Sequence, residues 1–63
     1  MQPHQQRVVD EKTELDARLV NLNKFFSTEI FSKLPEDEAT RLSKQASTMA
    51  DYSNILGERI AAF

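Results

Sequence analysis

Three features of this 63-residue sequence could do chemistry: a single histidine, carboxylates paired at helical spacing, and a lysine set among apolar positions. His4 would have to be the anchor of any histidine-based metal site, and a metal ion needs several convergent ligands. The segment PHQQRVVDEK offers it only Asp10 and Glu11, some distance along the chain, and there is no cysteine. No metal centre and no cofactor are therefore expected. Glu11 and Glu14 are three residues apart, which puts both carboxylates on one side of a helix. General acid–base chemistry also needs a cleft that shifts their pKa values and shelters a substrate. So short a chain has little room for one. Phosphate loops, nucleophile elbows and zinc-protease signatures are absent from the sequence, and no catalytic residue is expected.

Lys12 sits where the surrounding pattern calls for an apolar side chain. One reading is structural: its stem packs while the ammonium reaches water, or a polar residue fixes helix register at some cost in stability. The other makes it the cationic element of a ligand site between protomers. The remaining basic residues include Arg7, Arg18, Lys24, Arg41, Lys44 and Arg59, and they alternate with acids along the chain. With ten acidic and eight basic residues the formal charge is −2. Nucleic-acid binding requires a concentrated positive footprint, so nucleic acid is not the expected partner.

These residues must be positioned by helices. Val8, Lys12, Leu15, Leu19, Leu22 and Phe26 follow one another at spacings of 4, 3, 4, 3 and 4, the spacing of a helical seam. Ala39, Leu42, Ala46, Met49, Ser53, Leu56, Ile60 and Phe63 form a second seam at spacings of 3, 4, 3, 4, 3, 4 and 3. Pro3 suits a first helical turn. Pro35, followed by Glu36, Asp37 and Glu38, reads as a second helix start with its acids at the positive end of the helix dipole. The expected fold is all-α, one domain over residues 1–63: helix 1 at about 3–27, a joint at about 28–34, and helix 2 at about 35–62. Within the joint, Ser27 or Thr28 could cap a short extra turn holding Ile30 and Phe31, or helix 1 could run on to about Lys33. Either version gives an antiparallel hairpin.

In such a hairpin, residues whose numbers sum to about 65 face each other. Phe26 then meets Ala39, Leu19 meets Ala46, Lys12 meets Ser53, and Val8 meets Leu56 or Gly57. Gly57, the one glycine, is either a place where the helices come close or a helix stop. Val9, Val20, Phe25, Ile30, Phe31, Leu34, Tyr52 and Ile55 are left beside the seam or at the joint; all of these but Leu34, together with Phe63 at the end of the second seam, are the expected oligomer or partner contacts. Two helices provide no further layer to cover them. A folded chain this small is marginal, and with no disulfide available the expected remedy is a homodimeric four-helix bundle. A monomer with a tucked joint helix is the alternative.

The segments PHQQRVVDEKTELD (3–16) and YSNILGERIAAF (52–63), with the L-P-x-x-E-x-x-x-L helix start at Leu34, Pro35, Glu38 and Leu42, resemble small helical accessory proteins of tailed bacteriophages and prophages. The resemblance implies a bacterial cytoplasm during infection or lysogeny and action by binding a host or phage protein. No apolar run is long enough to span a bilayer, and MQPHQQR lacks the apolar core of a signal peptide. The expected function is thus protein–protein interaction without catalysis. A nucleic-acid-associated regulator and a protein binding a small anionic ligand remain the alternatives.

Overall fold

Pro3 and Pro35 each mark the beginning of a long helix. In the computed structural model, which describes residues 1–63, α1 spans Pro3–Phe25, α2 spans Glu29–Ser32 and α3 spans Glu36–Ala61. Gln2 is extended ahead of α1, and its carbonyl accepts from the Gln5 and Gln6 N–H groups at 3.0 Å each. The Gln2 N–H in turn donates to Gln5 Oε1 at 2.9 Å, so the helix start is held in both directions. Pro35 is extended as well and its carbonyl accepts from Ala39 N–H at 3.0 Å, which places the first residue of α3 at Glu36. Glu36, Asp37 and Glu38 fill the first turn, at the end of the helix where carboxylates are favoured.

Helix α1 stops at Phe25, two residues short of the expected boundary, because side-chain and aromatic contacts take over there. Thr28 Oγ1 donates to the Phe25 carbonyl at 2.7 Å, and its N–H reaches the same carbonyl at 3.0 Å. The same hydroxyl accepts from Phe31 N–H at 3.3 Å and so caps α2. The Phe31 ring meets Phe26 edge-on at 4.9 Å between centroids and Phe25 at 6.0 Å. A cap and an aromatic cluster thus make the break that a propensity reading of FSTEIF leaves open.

Helix α3 runs through Gly57 without interruption, and no residue has positive φ. The helix-stop reading of Gly57 is therefore overturned. Nor is its neighbourhood crowded by backbone: a β-carbon at Gly57 would meet only Lys12 Cε, at 3.4 Å, an ordinary contact with a flexible stem.

Helices α1 and α3 pack on one another along a molecule of 46 × 15 × 13 Å. All fourteen residues from Val8 to Phe26 and from Ala39 to Ile60 that the spacing assigns to the seam, Gly57 included, are buried or half-buried. Only Val8, Ser53 and Leu56 are fully buried. The accessible surface is 4751 Å², whereas a compact monomer of this mass exposes about 4100 Å². One seam leaves roughly 600 Å² more surface in water than a globular chain of this size would.

Gly57→Ala should accordingly stabilise the hairpin, by up to about 1 kcal/mol, because it removes a helix-interior glycine and meets nothing rigid. Urea unfolding of both proteins checks this; a loss of stability would mean that the helices need the glycine's space.

Candidate functional site

Lys12 and Ser53 face each other across the seam, as the antiparallel register requires. Lys12 Nζ donates to Ser53 Oγ at 2.8 Å and to Asp16 Oδ2 at 2.9 Å, one turn along α1. Ser53 in turn donates to Asp16 Oδ1, closing a three-membered cluster. Ser53 is buried, while the Lys12 and Asp16 side chains keep 30% and 45% of their exposure. The cluster is therefore internally neutralised at the edge of the seam, and no buried polar side-chain atom lacks a partner. Hydrogen bonding from Ser53, followed by that from Lys12, holds the Asp16 carboxyl below the usual carboxylate range. Lys12 thus has a structural role in this geometry: its ammonium already has two acceptors.

The opposite side of the seam has another character. Arg7, Glu11, Glu14 and Arg18 follow one another at spacings of 4, 3 and 4, so they form one stripe on α1. On α3, Arg41, Gln45, Thr48, Tyr52, Ile55 and Arg59 do the same at 4, 3, 4, 3 and 4. The Tyr52 hydroxyl donates to Glu11 Oε2 and ties the two stripes together. An indentation there is lined by Glu11, Glu14, Leu15, Arg18 and Tyr52. The hydrogen bond to Glu11, then burial, then the Glu11 charge raise the Tyr52 pKa, and the positive charge of Arg59 opposes them.

Arg18 pairs with Glu14 at 2.6 Å, and Arg41 pairs with Glu38 at 3.0 Å and Asp37 at 3.6 Å. Arg7 and Arg59 have no carboxylate within 4.0 Å. Beside Tyr52 stand the guanidinium of Arg18, which shares the indentation, and that of Arg59, whose charge acts on the phenol, against the carboxylates of Glu11 and Glu14. Arg7 lies one turn beyond Glu11 on the same α1 stripe. A second hollow, at the start of α3, is lined by Glu36, Asp37, Thr40, Arg41 and Lys44, of which Asp37 and Arg41 pair with each other.

The residues expected at an oligomer or partner contact are not brought to one place. Phe25 and Phe31 are half-buried in the joint cluster, so they serve the turn. Tyr52 and Ile55 lie on the charged side described above, whereas Val9 and Val20 are on the Lys12–Asp16 side. Ile30 is exposed on α2, and Phe63 lies beyond the end of α3. His4 is exposed in the first turn of α1. Asp16 and Glu11 were absent from the expected contacts. The signal for both was available: Asp16 is four residues from Lys12, and Glu11 with Tyr52 sums to 63.

The fold and these two sides define an all-α hairpin module with a polar cluster on one edge of its seam and a tyrosine–arginine surface on the other. The chain belongs to the Sequestin family, whose model matches residues 2–62. No curated protein and no solved structure matches it. No helix is long and apolar enough to cross a membrane.

The lowered pKa of Asp16 has a definite consequence for stability. A carboxylate stabilised in the fold contributes above its unfolded pKa, and that contribution is lost as pH falls through the folded value. Asp16→Asn should therefore lose less of its stability than the parent between neutral pH and about pH 3, as measured by thermal unfolding. Equal losses would remove the cluster from the acid response. For Tyr52 the sign is reversed: its raised pKa gives stability below the ordinary tyrosine value that is lost as pH rises through the folded value. Tyr52→Phe should flatten the alkaline limb of the same profile, and an unchanged limb would contradict the Glu11 contact.

Proposed function

We propose that this chain is a non-catalytic binding protein that acts by sequestration, holding a small anionic ligand of the nucleotide class on its Tyr52 side. One observation carries the reading: Arg7 and Arg59, on the same side of the hairpin as Tyr52, have no carboxylate partners. Guanidinium groups suit phosphate, since they present several donors in a rigid fork. An adjacent exposed phenol ring provides a flat surface for a base. The family name, Sequestin, speaks of sequestering and supports the mode of action. The ligand site is thus moved from Lys12, whose ammonium is engaged, to the arginines across the seam.

The biological setting in this reading is that of a phage or prophage accessory protein in the bacterial cytoplasm, as the sequence resemblance implies. A second reading is protein–protein interaction with a host or phage protein. It is favoured by Ile30 and Ile55, which leave 65% and 52% of their surfaces exposed. A nucleic-acid regulator has weaker support, because the arginines are interleaved with Glu11 and Glu14.

A thermal-shift panel of linear and cyclic nucleotides, with inorganic phosphate as the simplest anion, tests the proposal. A ligand that binds only the folded state at a hundred times its Kd adds about 2.7 kcal/mol of stability. The expected result is a raised midpoint with at least one nucleotide that weakens with salt and is lost in Arg7→Gln and Arg59→Gln. No shift across the panel would overturn the ligand class.

A further inference from the structure

The side of the hairpin that carries Val9 and Val20 is almost free of charge. On α3, Ser43, Ala46, Ser47, Ala50, Asn54 and Ala61 occupy the side adjoining Gly57, and Gly57 lies against Lys12. Between Arg41 and Arg59, every charged residue of α3 projects elsewhere: Lys44, Asp51 and Glu58 fall on its outer surface, and Arg41 and Arg59 on the Tyr52 side. On α1 the matching side bears Val9, Thr13, Asp16, Val20 and Asn23, and its one carboxylate is neutralised by Lys12. Loss of charged residues, more than bulk apolarity, distinguishes the centre of a protein interface from ordinary surface.

The elongated shape also leaves surface to spare. Over its whole elongated surface the hairpin exposes roughly 600 Å² beyond what a compact chain of its mass exposes, and an interface of standard size takes ~800 Å² from each partner. We infer that a second copy of this chain covers the Val9–Val20 side through a two-fold contact, completing a four-helix bundle. An identical partner fits because the central stretch of this side, from Ser43 to Ala61 on α3, holds no uncompensated charge to be repelled by its own copy, and Glu36, one heptad before Ser43, is left at its end. The Lys12–Asp16–Ser53 cluster becomes enclosed between the hairpins, where its internal pairing lets it be desolvated without an orphaned charge. Tyr52, Arg7 and Arg59 remain on the outward sides of the dimer. The inference goes beyond the sequestering function and does not depend on it.

Sedimentation equilibrium of the full chain from about 10 to about 500 μM tests it, with Val20→Glu, Ala50→Glu and, on the other side, Ile55→Glu. Val20 is 51% exposed in the hairpin, so its replacement leaves the fold of one chain intact, which far-UV circular dichroism checks. The expected result is a dimer for the parent and Ile55→Glu. Dimerisation should weaken by about a hundred-fold or more in Val20→Glu and Ala50→Glu, each of which would bury an unpaired carboxylate. A parent that stays monomeric overturns the inference. So does dissociation caused by Ile55→Glu, or a dimer that ignores Val20→Glu. Nucleotide shifts measured on the same variants separate this outcome from the fate of the ligand proposal.

Discussion

Two helices can bury one stripe each, and that constraint governs this molecule. With Val8 and Leu56 as the only fully buried apolar side chains, the seam offers little hydrophobic free energy against the cost of ordering the chain. The architecture responds by making each local device count. Both long helices begin behind extended residues whose carbonyls are used at once, Thr28 serves two turns with one hydroxyl, and the joint closes over three phenylalanine rings.

The Lys12–Asp16–Ser53 cluster solves a different problem. A seam of leucines and alanines can slide by a turn with only a modest change in packing, whereas a lysine that must find one serine and one aspartate cannot. The cluster therefore favours specificity of register more than raw stability. Within a single hairpin its position at the edge of the seam keeps the desolvation cost small, because both charges remain partly in water. Tyr52 and Glu11 provide the corresponding tie on the other edge. The two edges differ in what they offer outward: one is neutral and nearly charge-free, the other rich in guanidinium groups.

Much of the fold was legible in the spacing of apolar residues. Every residue that the 3–4 periodicity picks out from Val8 to Phe26 and from Ala39 to Ile60 is buried or half-buried, though Val9, Asp16, Phe25, Phe31, Leu34 and Ala50 outside it are half-buried too, and an antiparallel register brings Lys12 to Ser53. The end of α1 was less legible: Phe26 has helical dihedrals, so local propensity does not end the helix there. The stop is made by Thr28 and the aromatic packing, both of which depend on the turn having formed. Asp16 escaped notice because it lies beside the seam and gains its role from Ser53, 37 residues away. Gly57 is not a helix stop, since Ile60 and Ala61 continue the same helix, and a β-carbon there would meet only the Lys12 stem, so no close approach of backbones requires the glycine. The unpaired state of Arg7 and Arg59 follows from the three-dimensional placement of their neighbours, which periodicity alone does not fix.

In the proposed dimer a second copy covers surface that one hairpin leaves in water. Thermal unfolding of the full chain over a roughly hundred-fold range of concentration addresses it directly, because a folded state made of two chains becomes more stable by mass action. A midpoint that climbs with concentration is the predicted result. A midpoint that stays fixed, with calorimetric and van't Hoff enthalpies that agree for a single chain, would show that the lone hairpin is sufficient and would contradict the account.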